Sequence, residues 1–162
     1  MTETAISRGI IRMPLDSPLE SAVPGGNVVV LLVEDNRADV LIIEKAIALY
    51  GLPVKLYVAQ DGAEAFDFIG RAESVAGAPR PEIVLLDLNL PKRSGKEVLE
   101  RLRESPACRN ARVLVVSSSN SPKERRGIEQ LGVDDYFCKP ASLDGFLEIG
   151  ARLQALLGRR EA

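Results

Sequence analysis

Two uninterrupted apolar runs restrict the fold of this chain more than any other feature of its sequence. Val28–Val33 and Ile83–Leu86 consist only of valine, leucine and isoleucine. Runs of this kind are typical of strands that are buried on both faces of a parallel sheet. Acidic residues follow both runs directly: Glu34 and Asp35 after the first, and Asp87 after the second. The sequence therefore predicts a parallel sheet with carboxylates at the ends of two of its strands.

The rest of the chain continues this pattern as an alternation of five strands and five helices. The predicted strands are Val28–Val33, Val54–Ala59, 82–87, Arg112–Ser117 and 134–138. The predicted helices are 37–50, one capped by Asp61, Gly95–Glu104, one opened by Ser121 and Pro122, and one capped by Ser142 with the apolar stripe Phe146, Ile149, Leu153 and Leu156. This order predicts an α/β fold, a doubly wound (βα)5 parallel sheet with the flavodoxin-like strand order 2-1-3-4-5.

The predicted domain covers residues 28–158. Residues 1–27 are predicted to be a flexible N-terminal tail, because they carry several prolines and glycines and show no sustained periodicity. Residues 159–162 form a short C-terminal tail. The alternative for the N-terminal segment is a short docking segment built from its apolar residues, Ile10, Ile11, Met13, Leu15 and Leu19.

The composition excludes several classes of protein. The 162 residues include 21 Lys+Arg and 23 Asp+Glu, so the net charge of −2 gives no indication of nucleic-acid or membrane binding. No stretch resembles a transmembrane helix or a signal peptide, which predicts a cytoplasmic protein with both cysteines reduced. There is no histidine. This excludes catalytic triads with histidine and histidine-bound metals, and the chain cannot itself donate a phosphoryl group from histidine.

The predicted strand order places the first and third strands side by side, so Glu34, Asp35 and Asp87 should share one pocket. Carboxylate oxygens are the ligands that Mg²⁺ prefers. The alternative is that Glu34 and Asp35 only stabilise the positive end of the helix that follows them. The proximity of Asp87 favours a metal, because three unpaired anions would repel one another and a cation removes that repulsion.

Two further residues should reach Asp87 from neighbouring strands. Lys139 follows the fifth strand, and a cis peptide between Lys139 and Pro140 would aim its long side chain inward; the alternative is a solvated loop lysine. Ser117 ends the fourth strand, where its hydroxyl could bond an anionic group on Asp87. The alternative for Ser117 is a polar turn residue, and Ser118 or Ser119 could supply the hydroxyl instead.

Together these residues predict an aspartate that accepts a phosphoryl group. Asp87 is the expected nucleophile. Mg²⁺ would lie on Asp35, Asp87 and the backbone carbonyl of Asn89, with Glu34 acting through water. Lys139 and Ser117 would hold the phosphoryl oxygens.

The chain resembles the receiver domain of two-component response regulators over about residues 28 to 157. The matching motifs are Val-Glu-Asp-Asn at 33–36, Asp-Gly-Ala-Glu-Ala at 61–65, Asp-Leu-Asn-Leu-Pro at 87–91 with Gly95, the serine of strand four, and Tyr136 with Lys139-Pro140. The resemblance implies phosphorylation by the phosphohistidine of a sensor histidine kinase. It also implies a switch that couples Ser117 to the rotamer of Tyr136.

In this family the switch alters the face formed by the fourth helix, the fifth strand and the fifth helix, and that face is the expected site of homodimerisation. No helix-turn-helix or basic stripe follows the last predicted helix, so we expect output through an effector or phosphotransfer protein. The motifs at 35–39, 51–54 and 105–110 further resemble stand-alone receivers that partner bacterial and cyanobacterial phytochromes. Glu34 departs from the more frequent aspartate, and Ser117 from the common threonine.

Two other functions are open to a chain with these residues. One is a Mg²⁺-dependent phosphatase that forms an aspartyl phosphate, but such enzymes use an Asp-x-Asp pattern and this chain has Asp87-Leu88-Asn89. The other is a pseudo-receiver that binds partners without phosphorylation. The presence of all five site residue types argues against it.

Overall fold

The computed structural model describes residues 10–15 and 27–158 as a parallel sheet with helices on both faces. The strands are β1 (Ile10–Met13), β2 (Val28–Val33), β3 (Val54–Ala59), β4 (Ile83–Leu86), β5 (Arg112–Ser117) and β6 (Asp135–Cys138). The helices are α1 (Arg37–Leu49), α2 (Gly62–Ser74), α3 (Gly95–Glu104), α4 (Pro122–Glu129), α5 (Leu143–Leu147) and α6 (Ile149–Gly158).

The predicted sheet is confirmed. Its five strands are β2 to β6, and the observed order β1-β3-β2-β4-β5-β6 contains the predicted order 2-1-3-4-5. Val33 at the end of β2 is in register with Ala59 in β3 and with Leu86 in β4, and Leu86 is in register with Val115 in β5. The carboxyl ends of these strands therefore lie along one edge of the sheet, here called the carboxyl edge. The residues that follow β2 and β4 meet there.

Successive residues of the continuous apolar runs pack on opposite faces of the sheet. In β2, Leu32 belongs to the cluster that contains Ile43 of α1 and Leu153 of α6. Its neighbour Leu31 belongs to the cluster that contains Phe68 of α2 and the residues of α3. Burying one such side chain contributes about 1.5–3 kcal/mol. Because both faces are covered, the strand needs apolar residues at every position, which explains the uninterrupted runs.

The structure differs from the prediction in the N-terminal segment. Residues 10–13 form β1, which lies parallel to β3 and pairs with it from Ile10–Val54 to Met13–Tyr57. The prediction of a flexible tail is therefore wrong for these four residues. Leu15 packs partly buried against the cluster on the α2 and α3 face. This strand forms because it pairs with the edge of β3. Its four residues are too few to show a periodicity from which a strand could be predicted. Residues 1–9 and 16–26 of the predicted tail, including Leu19, lie outside the described residues, as do 159–162.

The predicted last helix is divided into α5 and α6 at Glu148. The backbone N–H of Glu148 donates to the carbonyls of Gly145 and Phe146, which ends α5. In α6, Gly150 lies so close to Tyr50 that a Cβ atom there would be 2.2 Å from a carbon of the tyrosine ring. The apolar stripe runs through both helices, so its spacing does not reveal a break of one residue.

No helix among residues 10–15 and 27–158 combines the length and the apolar character that a membrane span requires.

Candidate functional site

Asp87 occupies a rigid, buried position at the carboxyl edge. Its backbone N–H donates to the carbonyl of Val33 at 3.1 Å, and its side-chain Oδ1 accepts the N–H of Asn89 at 3.1 Å. The first residue of α3, Gly95, lies against it: a Cβ atom at Gly95 would be 2.5 Å from the carbonyl oxygen of Asp87. Asp87 is 5% exposed. The strand, the following loop and α3 therefore leave this carboxylate little freedom.

Glu34 and Asp35 lie beside Asp87, as the strand order predicts. One carboxylate oxygen from each of the three residues lies within 4.8 Å of the others. Glu34 and Asp87 are buried and Asp35 is exposed. Asn36, rather than either acidic residue, caps α1, and its side chain accepts the N–H of Asp39 at 3.2 Å. Neither Glu34 nor Asp35 is therefore the N-cap residue of α1, although Glu34 accepts the N–H of Asn36 at 3.1 Å.

Lys139 reaches the same cluster from the end of β6. Its backbone N–H donates to the carbonyl of Ser117 at 2.8 Å, which continues the pairing of β5 with β6 past the strand end. Its ammonium lies 2.8 Å from Glu34 Oε1, 2.8 Å from Asp39 Oδ2 and 3.3 Å from Asp87 Oδ2. The side chain is 10% exposed. Lys139 is therefore a buried site residue and not a solvated loop lysine.

The peptide bond between Lys139 and Pro140 is trans, because the described residues contain no cis peptide. The prediction of a cis peptide is therefore wrong. The lysine side chain is long enough to reach the three carboxylates from the strand end without it.

Burial and hydrogen bonding to opposite charges together determine the pKa values of Glu34 and Lys139. Burial raises the pKa of Glu34 from 4.5 to about 7; hydrogen bonding to Lys139 opposes this rise, and the negative charge of Asp87 adds to it. Burial alone would lower the pKa of Lys139, but its hydrogen bonds to Asp39 and Glu34 outweigh burial and raise it. The ammonium therefore stays charged, and one lysine does not compensate all the carboxylates around it.

These residues fit a hard divalent cation. Such a cation binds oxygen ligands at about 2.0–2.6 Å, so oxygens on opposite sides of it lie about 4–5 Å apart. The spacing of 4.8 Å or less in the cluster of Glu34, Asp35 and Asp87 agrees with this geometry. The raised pKa of Glu34 indicates the same, because a cation would compensate the buried carboxylate.

Ser117 and Tyr136 lie beside the cluster on β5 and β6. Ser117 is fully buried, and its Oγ accepts the N–H of Ser119 at 3.1 Å. No hydrogen bond joins Ser117 to Asp87 among the described residues. The Tyr136 hydroxyl donates to the carbonyl of Ser119 at 3.5 Å, and the guanidinium of Arg125 lies 4.3 Å from its ring centre. The predicted switch pair is therefore linked through the loop that follows Ser117.

Sequence reasoning missed the contact between Asp39 and Lys139. Asp39 stands in the first turn of α1, four residues after Asp35. Its partner Lys139 lies 100 residues away along the chain, so no spacing in the sequence indicated the contact.

Sequence reasoning also missed the contacts that hold the loop between β4 and α3 against the start of α2. Lys92 adopts a positive φ of 73°, and its ammonium lies 3.2 Å from Asp61 Oδ2 at the start of α2. The Gly62 N–H donates to the carbonyl of Pro91 at 3.3 Å. No pattern in the sequence links these segments.

Comparison with known proteins identifies the family. The family model described as the response regulator receiver domain matches residues 30–149. The response regulator Rcp1 of Synechocystis sp. is 32% identical over 115 residues, which are 71% of this chain and 78% of Rcp1. The probable methanogenesis regulatory protein FilR2 of Methanothrix harundinacea is 35% identical over 72% of this chain and 74% of its own length.

Solved structures agree with these sequence matches. The phosphorylated cyanobacterial phytochrome response regulator RcpA superposes with a TM-score of 0.72 at 33% identity, over 80% of this chain and 92% of RcpA. The Mn²⁺-bound form of Rcp1 superposes with a TM-score of 0.71 at 29% identity, over 79% of this chain and 92% of that structure. The buried Asp87, the acidic cluster and the family match agree, and the chain belongs to the response regulator receiver domain family.

Proposed function

We propose that this protein is a single-domain response regulator that accepts a phosphoryl group on Asp87 and signals through the resulting change in its binding surface. The observation that carries the proposal is the buried carboxylate of Asp87 with the Lys139 ammonium 3.3 Å away. Two further acidic residues complete a cation site beside it. Glu34 shares this cluster and lies 2.8 Å from the same ammonium. We assign the acceptor to Asp87 because it directly follows β4 and opens the Asp-Leu-Asn-Leu-Pro motif.

The proposed reaction moves one phosphoryl group between proteins. A carboxylate oxygen of Asp87 attacks phosphorus, the phosphorus–nitrogen bond of a phosphohistidine breaks, and the leaving imidazole nitrogen keeps the electron pair. Lys139 donates a hydrogen bond to one phosphoryl oxygen, and the hydroxyl of Ser117 turns to another. Asp35, Asp87 and the Asn89 carbonyl would hold Mg²⁺, with Glu34 acting through water, and the ion would supply positive charge that offsets the charge of the phosphoryl group.

A sensor histidine kinase is the proposed phosphoryl donor, because this chain contains no histidine. The similarity to RcpA, described as a cyanobacterial phytochrome response regulator, supports a phytochrome kinase as that donor. Both proteins would then meet in the cytoplasm. The protein would catalyse only its own phosphoryl transfer and dephosphorylation.

The proposed output runs from Ser117 to the face formed by α4, β6, α5 and α6. When Ser117 turns toward a phosphoryl oxygen, the Ser119 loop moves with it, and Tyr136 loses its hydrogen bond to the Ser119 carbonyl. Tyr136 then changes rotamer and alters this face. Homodimerisation or binding of a downstream phosphotransfer or effector protein follows there. This chain covers 92% of the solved structures of RcpA and Rcp1, which supports a receiver domain that acts as a signalling unit by itself.

The test is labelling with a small phosphodonor in Mg²⁺ buffer, followed by intact mass spectrometry. Wild type should gain one phosphoryl group, and Asp87→Asn should gain none. The matched control is Asp67→Asn, which changes an exposed aspartate on α2 and should be labelled like wild type. Equal labelling of wild type and Asp87→Asn would contradict the proposal.

Labelling together with two further assays, phosphomonoester turnover and beryllium fluoride binding, separates the two alternatives. A phosphatase would consume many equivalents of an unrelated phosphomonoester, whereas a receiver is labelled once per chain. A pseudo-receiver would remain unlabelled and would not bind beryllium fluoride.

A further inference from the structure

The Lys139 ammonium has no free donor in the structure. An ammonium carries three N–H bonds, and three carboxylates surround this one. Two of them, Glu34 and Asp39, lie at 2.8 Å, whereas Asp87 lies at 3.3 Å. The ammonium is thus held closer to its two neighbours than to the residue that would carry the phosphoryl group.

We propose that Asp39 is a positioning residue that restrains Lys139 in the unphosphorylated state and opposes phosphorylation of Asp87. This inference rests on the proposed function, because it concerns the same site. A phosphoryl group on Asp87 needs a donor from Lys139, and the ammonium must move from its present position toward that group. Glu34 and Asp39 hold it at 2.8 Å, nearer than the 3.3 Å to Asp87. Asp39 is a competing acceptor whose release lets the lysine approach the phosphoryl oxygen.

Asp39, rather than Glu34, is the partner that can be released. The Glu34 side chain is 1% exposed, so without Lys139 it would be a buried carboxylate with one remaining hydrogen bond, from the Asn36 N–H. The Asp39 side chain is 19% exposed and can be hydrated. It also stands in the first turn of α1, where the helix dipole stabilises a negative charge. No covalent bond and no proton changes place in this exchange: Lys139 keeps its charge and changes one acceptor.

A purely structural role for Asp39 makes the opposite prediction. If the ion pair only ties α1 to the end of β6, then removing it should loosen the site and weaken binding of a phosphoryl mimic. If Asp39 competes for Lys139, then removing it should free the ammonium and strengthen binding. The sign of the change in affinity decides between the two.

The experiment is a calorimetric titration of the full chain with beryllium fluoride in Mg²⁺ buffer, which measures the affinity for this phosphoryl mimic. Asp39→Asn should bind about tenfold more tightly than wild type, the size expected for one partly exposed charge-assisted hydrogen bond. Asp39→Ala should change in the same direction, and Asp39→Glu should return toward wild type. The matched control is Asp144→Asn, an exposed aspartate in the first turn of α5 that should leave the affinity unchanged.

A double variant tests whether Asp39 acts through Lys139. In a Lys139→Met background, Asp39→Asn should change the affinity about twofold or less, because only weak long-range charge effects remain. Unchanged or weaker binding by Asp39→Asn and Asp39→Ala would overturn the inference while leaving the proposed function intact. Failure of wild type to bind beryllium fluoride would instead refute the proposed function, and the inference with it.

Discussion

Replacing Glu34 with glutamine should stabilise the metal-free protein much more at pH 8 than at pH 5. Glu34 is buried beside Asp87, and this burial raises its pKa from 4.5 to about 7 in the folded protein. The folded protein therefore binds more protons than the unfolded chain between these values. The contribution of Glu34 to the free energy of unfolding is therefore most favourable below pH 4.5, where the carboxyl is neutral in both states. This contribution is lost as the pH rises to about 7.

The size of this effect follows from the two pKa values. A pKa difference of one unit corresponds to about 1.4 kcal/mol, so a rise from 4.5 to about 7 makes the ionised carboxylate destabilising by about 3 kcal/mol. Glutamine has the same shape and can still accept a hydrogen bond from Lys139, but it carries no charge. The Glu34→Gln variant should therefore be more stable than wild type by about 3 kcal/mol at pH 8.

The assay is urea unfolding in a metal chelator at several values between pH 5 and pH 8. With a slope of about 2 kcal/mol per molar urea, the midpoint of Glu34→Gln should exceed that of wild type by about 0.4 M at pH 5 and by about 1.5 M at pH 8. The control is Glu129→Gln, an exposed carboxylate on α4, which should follow the wild-type profile. Saturating Mg²⁺ should raise the stability of wild type more at pH 8 than at pH 5, because it binds the ionised carboxylate.

Parallel pH profiles for wild type and Glu34→Gln would refute this reasoning. They would mean that the surrounding positive charge already compensates Glu34 and that the site does not require a cation.

Two further substitutions test how the fold holds the site. Gly95→Ala would place a Cβ atom 2.5 Å from the Asp87 carbonyl oxygen. The substitution should lower the free energy of unfolding by about 2 kcal/mol, measured from urea midpoints. It should also slow labelling of Asp87, measured as the labelling rate. Its control is Gly70→Ala in α2, where a Cβ atom would have no neighbour within 4 Å. This control should raise the free energy of unfolding by about 1 kcal/mol or less, because alanine favours the helix more than glycine does. Arg103→Met should cost about 3 kcal/mol in urea unfolding, whereas Arg126→Met, at an exposed position on α4, should change stability little. The Arg103 guanidinium donates at 2.7–2.8 Å to four backbone carbonyls, those of Leu131, Arg109, Ala111 and Gly132.

The main elements of the fold could be predicted because their signals are local. An apolar run such as Val28–Val33 can be recognised without knowledge of its neighbours, and Asp61 and Ser142 cap the helices that follow them, as predicted. The strand order then brought Glu34 and Asp87 together. The edge strand Ile10–Met13 could not be predicted in this way, since it exists through pairing with β3.

The candidate site was predictable in its residue types but only partly in its contacts. Lys139 was expected to reach Asp87, yet its closest partners are Glu34 and Asp39, which lie 105 and 100 residues away along the chain. Nothing in the sequence indicated that the Ser117 hydroxyl oxygen accepts the N–H of Ser119. Such choices among nearby acceptors depend on distances of a few tenths of an ångström, which no sequence pattern encodes.

The sequence by itself determined that carboxylates follow two buried parallel strands and that no histidine is present. Hydrophobic periodicity and strand ends are properties of short segments, so they can be read one segment at a time. Only the tertiary structure decided which acidic groups share the Lys139 ammonium and how far burial raises the pKa of Glu34. Both depend on how completely segments distant in the chain exclude water from one another, and that is a property of the packed molecule.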